Sequence, residues 1–334
     1  MIGSIARRAL LAGAFGLTVL LTASCNREEA ADPNRIVFAV LPAESQASSE
    51  PLWAPLIDDL RRETGLDVEI HFVANYTILV EAMRANQVQV AWMSAQPALD
   101  AVERANGQVI GRIMNSEGGT TYHSVLITRR GSGITLNDVM ACGRRFSFGM
   151  GDARSTSGTL APMAFLFGPA NVDPATCFSE VRNANHQANA LAVANGVIDV
   201  ATNNDVGLLF TRRQNPRAAA NIEVLWESPA IPESAIVARR DVDPATIERI
   251  RSFFLTYGQG DRPRAAEERQ VLEGLEYGGF QAADESYLDP IREMNASVAL
   301  MDARQTGDAA AIARAQATYD EIHARVQAAE EVQP

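Results

Sequence analysis

The residues that could act together chemically lie in the segment Phe148-Gly-Met-Gly-Asp-Ala-Arg-Ser-Thr-Ser-Gly158 and at His186. Glycines leave a strand-like run, the hydroxyls of Ser155, Thr156 and Ser157 follow, and a helical pattern then begins. The first turn of a helix exposes unpaired N–H groups and carries about half a positive charge. Hydroxyls add donors there without adding net charge. The segment therefore reads as a cradle for an oxyanion, above all a tetrahedral one with three oxygens. The competing reading is an N-cap with spare serines. His186 tips the balance, because it opens the loop after a strand-like run at 179–183 and precedes a helical run at 187–195. That places it on the same expected sheet edge as the hydroxyls, where ligands of open parallel sheets sit. A Ser157–His186–Asp152 arrangement for a secreted hydrolase can also be drawn, but the chain has no Gly-x-Ser-x-Gly elbow. No catalytic residue is expected.

Composition narrows the chemistry further. The 334 residues are 47% hydrophobic and 21% charged, enough for two ordinary domains with buried cores. The net charge is −12, which argues against a general nucleic-acid binder and against docking on anionic lipid. All 29 basic residues are arginine. Without a lysine there is no Schiff base, no pyridoxal-phosphate anchor and no P-loop cradle. Three cysteines and four scattered histidines give no metal-ligand spacing, so neither a metal nor a cofactor is expected.

The N-terminus reads as an export signal. Arg7 and Arg8 form a basic region, and the apolar stretch from Ala9 to Leu21 is 13 residues long. That is short of the roughly 20 residues that span a bilayer. Thr22-Ala23-Ser24 and then Cys25 resemble a bacterial lipobox, with the usual apolar residue displaced by one position to Leu21. Residues 1–24 are thus expected to be a signal peptide, and 25–33 a polar tether anchored to the membrane by a lipid on Cys25. Plain signal-peptidase cleavage beside a chance cysteine is the alternative. Cys142 and Cys177 each lie just before a strand-like run. Two neighbouring parallel strands would bring those starts together, and an exported chain meets oxidising conditions. A disulfide is expected; two buried thiols would be the alternative.

The body alternates strand-like and helix-like runs, which implies parallel sheets with right-handed crossovers. The pattern begins with the unbroken apolar run at 36–41 and a helix with Pro51 near its first turn, and it restarts after a long strand at 122–130. The count fits an α/β chain with two lobes, each a mainly parallel sheet flanked by helices. One lobe takes 34–121 plus 239–300 and the other 131–221, with hinge crossings at 122–130 and 222–238. A cleft between such lobes is a common place for a ligand. A helical tail occupies 301–334. Apolar Leu288, Ile291, Met294, Val298 and Met301 recur at helical spacing and should pack against the first lobe, whereas the alanine-rich 309–332 could pair with a second subunit.

At this point the sequence resembles the phosphonate-binding proteins of bacterial ABC transporters, a family that also binds phosphite and phosphate. The resemblance spans roughly residues 36–300. It rests on Glu44-Ser-Gln46, Ala91-Trp92, AVERANGQV at 101–109, Tyr122 to Ile127, Gly151-Asp152 with Ser155–Gly158, and Asn185-His186. NALAVAN at 189–195, DVATNN at 199–204, Ser228-Pro and Ile231-Pro232 continue it in the same order. It implies a type II-like, two-lobed periplasmic binding protein serving a membrane permease and an ATPase. It also implies that Ser155, Thr156, Ser157 and His186 hold phosphonate oxygens while Tyr76 and Tyr122 close the pocket, and that dimers are possible.

The departures from the family pattern bear on the ligand. Members that prefer 2-aminoethylphosphonate hold its ammonium with two acidic residues, and the matching positions here are Val206 and Ser234. A buried ammonium without a carboxylate is costly. The expected ligand therefore has no amine or is smaller: phosphite, methylphosphonate or phosphate. Asp205 and Glu233, each one residue away, and Glu44 are the residues that could reverse this. A ligand sensor reporting to a membrane partner would use the same closure as a transport protein.

Overall fold

The computed structural model describes residues 34–332; the segment expected to be a signal peptide, Cys25 and the expected tether lie outside the described residues. β1 (Arg35–Val40) is apolar and buried from Ile36 onward, as an interior strand requires. α1 (Gln46–Thr64) starts a turn earlier than Pro51 implies. Ser45 caps it by accepting from the Ser48 N–H, and Gly65 ends it at a φ of 67°. There follow β2 (Asp67–Phe72), α2 (Tyr76–Arg84), β3 (Val90–Met93), α3 (Ala95–Arg104) and β4 (Gly107–Asn115).

The chain then runs through a short β5 (Thr121–Tyr122) into β6 (Ser124–Arg129), α4 (Leu136–Met140) and β7 (Ser147–Met150). Two π-helical stretches come next, Thr156–Leu160 and Met163–Phe167, so the helix expected at 160–167 begins at the hydroxyl turn itself. α5 (Pro174–Cys177), β8 (Glu180–Asn183), α6 (His186–Ala194), β9 (Val200–Asn204), α7 (Asp205–Gln214), α8 (Pro216–Ala220) and β10 (Ile222–Glu227) complete this part. Last come β11 (Ile231–Pro232), β12 (Ala235–Arg239), α9 (Pro244–Thr256), α10 (Ala265–Gly274), β13 (Tyr277–Gln281), α11 (Asp289–Thr306) and α12 (Ala309–Val332).

The strands form a six-stranded sheet in the order β13-β4-β12-β3-β1-β2 and a five-stranded sheet in the order β10-β6-β9-β7-β8. The fold is α/β and two-lobed with a helical C-terminal region, but its sheets are mixed rather than mainly parallel. Parallel pairing is confined to β1 with β2 and β3, and β7 with β8 and β9. The strands entered straight from the crossings, β6 and β12, pair antiparallel with their neighbours (β6 with β9 and β10, β12 with β3 and β4), because the chain enters them without the helical crossover that keeps strands parallel. The crossings are also narrower than 122–130 and 222–238. Ser124–Arg129 and Ile222–Glu227 are strands of one sheet and Ala235–Arg239 a strand of the other, so the chain passes between them around the two-stranded β5–β11 pair.

β13 has no clear signal in the sequence. Its Gly278 faces the backbone of β4, where a Cβ would come 2.4 Å from the Asn115 carbonyl oxygen, so the strand gives up a side chain for that approach. The six-stranded sheet buries Phe38, Trp53, Phe254 and Tyr257 on one face. On the other, Tyr76, Met93 and Leu99 meet Leu160 of the first π-helical stretch and Ala161 just after it, together with Ile291 and Met294 of α11. α11 thus packs against both lobes rather than the first alone, and Met301 lies over Gly168 of the second. Because α11 ends at Thr306, the separate tail is α12.

Cys142 and Cys177 are joined by a disulfide across 35 positions, tying together the segments that lead into β7 and β8. In denatured, unreduced protein neither should react with a thiol reagent. Cys142→Ser is expected to cost about 2–4 kcal/mol of stability, the usual effect of closing such a loop. Two reactive thiols in addition to Cys25 would show the bond to be absent.

Candidate functional site

The site is built from the turn after β7 outward. Gly151 and Gly158 lie backbone against backbone: a Cβ on Gly151 would sit 2.5 Å from the Gly158 Cα. The Gly151 N–H donates to the Gly158 carbonyl, and Thr202 Oγ1 donates to the same carbonyl at 2.7 Å. This pins the chain into a tight reversal with Ser155, Thr156 and Ser157 on its inner side, all three buried. Ser155 Oγ caps the π-helical stretch by accepting from the Gly158 N–H at 2.9 Å. Ser157 Oγ accepts from Asn204 Nδ2 at 3.0 Å.

His186 opens α6 behind an Asn185 cap, and its Nε2 stands 3.5 Å from Ser155 Oγ and 3.4 Å from Ser157 Oγ. It is buried, and desolvation pushes its pKa down to about 4, so it is neutral at ordinary pH. Gly207 lets α7 close in behind it, since a Cβ there would meet Asn203 Oδ1 at 2.7 Å. The triad drawn from the sequence does not assemble. The Asp152 carboxylate accepts from the backbone N–H groups of Arg154 and Tyr76, and His186 Nδ1 has no partner among the described residues.

From the other lobe, Tyr76 at the start of α2 and Tyr122 in β5 face the same turn. Tyr76 stands beside Ser155, and Tyr122 beside Ser157 and Thr156. Burial raises both phenols above their ordinary range, so both are neutral donors. These groups surround a cavity of about 70 Å³, lined also by Trp92, Ser94, Asn204 and Tyr277. Since a single water needs roughly 10–15 Å³, the space suits a ligand of a few heavy atoms.

Three residues that line the cavity each carry a buried polar atom without a hydrogen-bond partner among the described residues: Trp92 Nε1, Ser94 Oγ and His186 Nδ1. Buried polar atoms are seldom left so, and those facing a cavity invite a ligand. Trp92 and Ser94 were not singled out from the sequence as site residues, although Ser94 repeats the Ser155 pattern: a serine between a strand and the helix it precedes. The first turns of α2, α3, α6 and the π-helical stretch all contribute lining or neighbouring residues. Their dipoles supply positive potential, and no arginine lines the cavity.

Other sequence-derived candidates divide. Glu44, Val206, Glu233 and Ser234 line the cavity; Thr156 and Asp205 do not. Thr156 Oγ1 instead accepts from the Gln96 N–H of α3 at 2.8 Å, linking the lobes. The Asp205 carboxylate is turned to the backbone N–H groups of His123 and Val206, and burial raises its pKa. Val206 and Ser234 bring no charge, but Glu44 and Glu233 do. Desolvation pushes each carboxyl up to about 7. The Ser234 N–H donates to Glu233 at 3.0 Å, whereas nothing among the described residues donates to the Glu44 carboxylate.

These shifts fix the sign of the pH dependence. Glu44 and Glu233 bind protons more tightly in the folded chain than their ordinary 4.5 allows, so stability falls as pH rises from about 4.5 to about 7. His186 opposes this: the unfolded imidazole takes a proton below 6.5, which the folded one refuses down to about 4, so acid costs stability. Two carboxyls outweigh one imidazole. The melting temperature of ligand-free, refolded protein should therefore fall between about pH 5 and pH 8, and the Glu44→Gln/Glu233→Gln double variant should reverse the slope. A flat profile in both would show that the carboxyls are not desolvated.

The family model described as ABC transporter, phosphonate, periplasmic substrate-binding protein matches residues 38–288. A phosphonates-binding periplasmic protein of Escherichia coli (strain K12) is 37% identical over 281 residues, covering 84% of this chain and 80% of its own length. The phosphate-import protein PhnD of Mycolicibacterium smegmatis is 26% identical over 282 residues, covering 79% and 86%. Among solved structures, a binding protein component of an ABC phosphonate transporter from Pseudomonas aeruginosa has 32% sequence identity and a TM-score of 0.84, over 89% of this chain and 99% of that one. A donor-lined cavity between two lobes and a match running nearly the length of the chain lead to the same assignment: this chain belongs to the periplasmic substrate-binding proteins of phosphonate ABC transporters.

Proposed function

We propose that this protein captures a phosphonate bearing an ammonium group, closes on it at the β5–β11 crossings, and delivers it to a permease and its ATPase. The phosphorus oxygens are held by Ser155, Ser157 and His186 from one lobe and by Tyr76, Tyr122 and Ser94 from the other. Thr156 acts through the lobe contact to Gln96, not on the ligand. The observation that carries this reading is the meeting of two carboxyls, Glu44 and Glu233, with a cavity otherwise built of neutral donors. An oxyanion alone must keep both carboxyls protonated. An ammonium on the same ligand lets them ionise and pairs with them. This revises the amine-free ligand expected from Val206 and Ser234.

Phosphate, as in the name of the mycobacterial relative, is the second reading, and it requires the carboxyls to stay protonated. Calorimetric titration of refolded protein separates the two. At pH 8, 2-aminoethylphosphonate should bind about ten- to a hundredfold tighter than ethylphosphonate, the usual worth of a hydrogen bond to a charged group. The ratio should rise with pH through about 7 and collapse in Glu233→Gln. Equal affinities at every pH, or tighter binding of phosphate, would overturn the ammonium. Ser157→Ala and His186→Ala should each weaken every oxyanion; unchanged binding in both would remove the cradle.

The exported chain is anchored through a lipid on Cys25, and Cys25→Ser should move it from the membrane fraction to the soluble one. Pairing of two copies through α12 would appear as two chains per particle in multi-angle light scattering, and one chain per particle would exclude it.

A further inference from the structure

The cavity has a neighbour. Glu44, Gly207 and Phe210 line it and also line a second chamber of about 150 Å³. Gly207 has no side chain, so the partition between them consists of only two side chains, Glu44 and Phe210, both half-buried. On the far side stand Gln187, Thr211, Gln214 and Asn215, with Leu191. Gln214 and Asn215 are exposed, so the chamber reaches the surface.

Its walls are held by contacts between the lobes. The Gln187 carboxamide accepts from the Ser45 N–H at 3.0 Å and donates to Ser48 Oγ at 2.8 Å, joining α6 to the start of α1. Apart from Glu44, the lining bears no charge; it offers amides, one hydroxyl and two apolar surfaces. The inner cavity has room for a phosphonate head and a short chain. A longer ligand has a way outward past Glu44 and Phe210, which both spaces share.

We propose that this partition is a passage, and that the outer chamber takes the tail of N-substituted aminoalkylphosphonates: a secondary ammonium paired with Glu44, carrying a neutral, hydrogen-bonding substituent outward between α6 and α7. This rests on the ammonium-phosphonate reading above. A secondary amine keeps the charge that Glu44 needs. Gln187 is engaged by Ser45, Ser48 and Gln214, so the amine's substituent meets the amide N–H groups of Gln214 and Asn215, which can donate to an oxygen on it. An anionic tail is excluded by Glu44 itself. Phe210 supplies the apolar surface over which the carbon chain turns.

The test compares 2-aminoethylphosphonate with its N-(2-hydroxyethyl) and N-(2-carbamoylethyl) derivatives by calorimetry on the refolded protein, in wild type, Leu191→Trp and Gln214→Trp. Gln214 is on the exposed rim, so the second variant tolerates the change even if the first does not fold. The derivatives should bind wild type within about threefold of the parent or tighter. The tryptophans should weaken them at least tenfold while altering the parent less than twofold. If the parent binds but both derivatives bind a hundredfold worse, or the tryptophans leave the derivatives untouched, the passage is overturned and the ammonium site stands. If ethylphosphonate binds and none of the amines does better, the ammonium reading fails and the passage falls with it.

Discussion

Everything in the site depends on two glycine backbones touching. Gly151 and Gly158 approach so closely that neither can carry a side chain, and that contact reverses the chain between β7 and the π-helical stretch. The reversal turns three consecutive hydroxyl residues inward. It is locked from behind, where Asn189 Nδ2 donates to the Met150 carbonyl and Thr202 Oγ1 to that of Gly158. A serine cap is ordinary at a helix start. Here the cap, its two neighbours and the helix end are held at one spot, and His186 on the next parallel strand's loop stands within 3.5 Å of two of the hydroxyls.

The constraint also bears on how an anion would be held. A buried arginine would be costly whenever the cavity is empty. Hydroxyls, phenols, an indole N–H and helix ends leave no such unpaired charge in the ligand-free protein, and they are what line the cavity. The same economy explains the two carboxyls. Held near 7, each can stay neutral in the empty site and ionise when a cation arrives. An overall charge of −12 is then no obstacle to an anionic ligand, because attraction is local and the acidic surface lies outside it.

Much of this was legible in the chain. The Gly/Ser/Thr segment, His186, the alternation of strands and helices and the pairing of Cys142 with Cys177 all follow from local pattern. What was not legible depends on direction rather than type. Glu233 and Ser234 both line the cavity, and a sequence register that matches one residue to a family position says nothing of its neighbour's side chain. Thr156 sits between two hydroxyls that face the cavity, yet is engaged by Gln96 across the lobes. Asp205 is drawn off by the backbone N–H groups of His123 and Val206. Antiparallel strands at the crossings and the glycine-bearing β13 were hidden for a related reason: their pairing is decided by where the chain returns, which no short window of sequence records.

The two lobes divide the work unequally. Ser155, Ser157 and His186 all belong to the five-stranded half, and Glu44, Tyr76, Ser94 and Tyr277 to the other. In the proposed reading both lobes reach the phosphorus oxygens, whereas Glu44, beside the remainder of the ligand, belongs to the six-stranded half alone. Closure joins them through contacts beside the readers: the His186 N–H donates to the Ala43 carbonyl at 3.2 Å, next to Glu44, and the Tyr76 N–H to Asp152 at 3.4 Å, beside the cradle. A ligand that satisfies the cradle but leaves Glu44 ionised and unpaired would open what it has just closed, because the unpaired carboxylate is worst in the closed, desolvated state. In the proposed reading, selection among phosphorus oxyanions is made at closure, and substitutions on the six-stranded side would change the cargo while leaving the cradle intact.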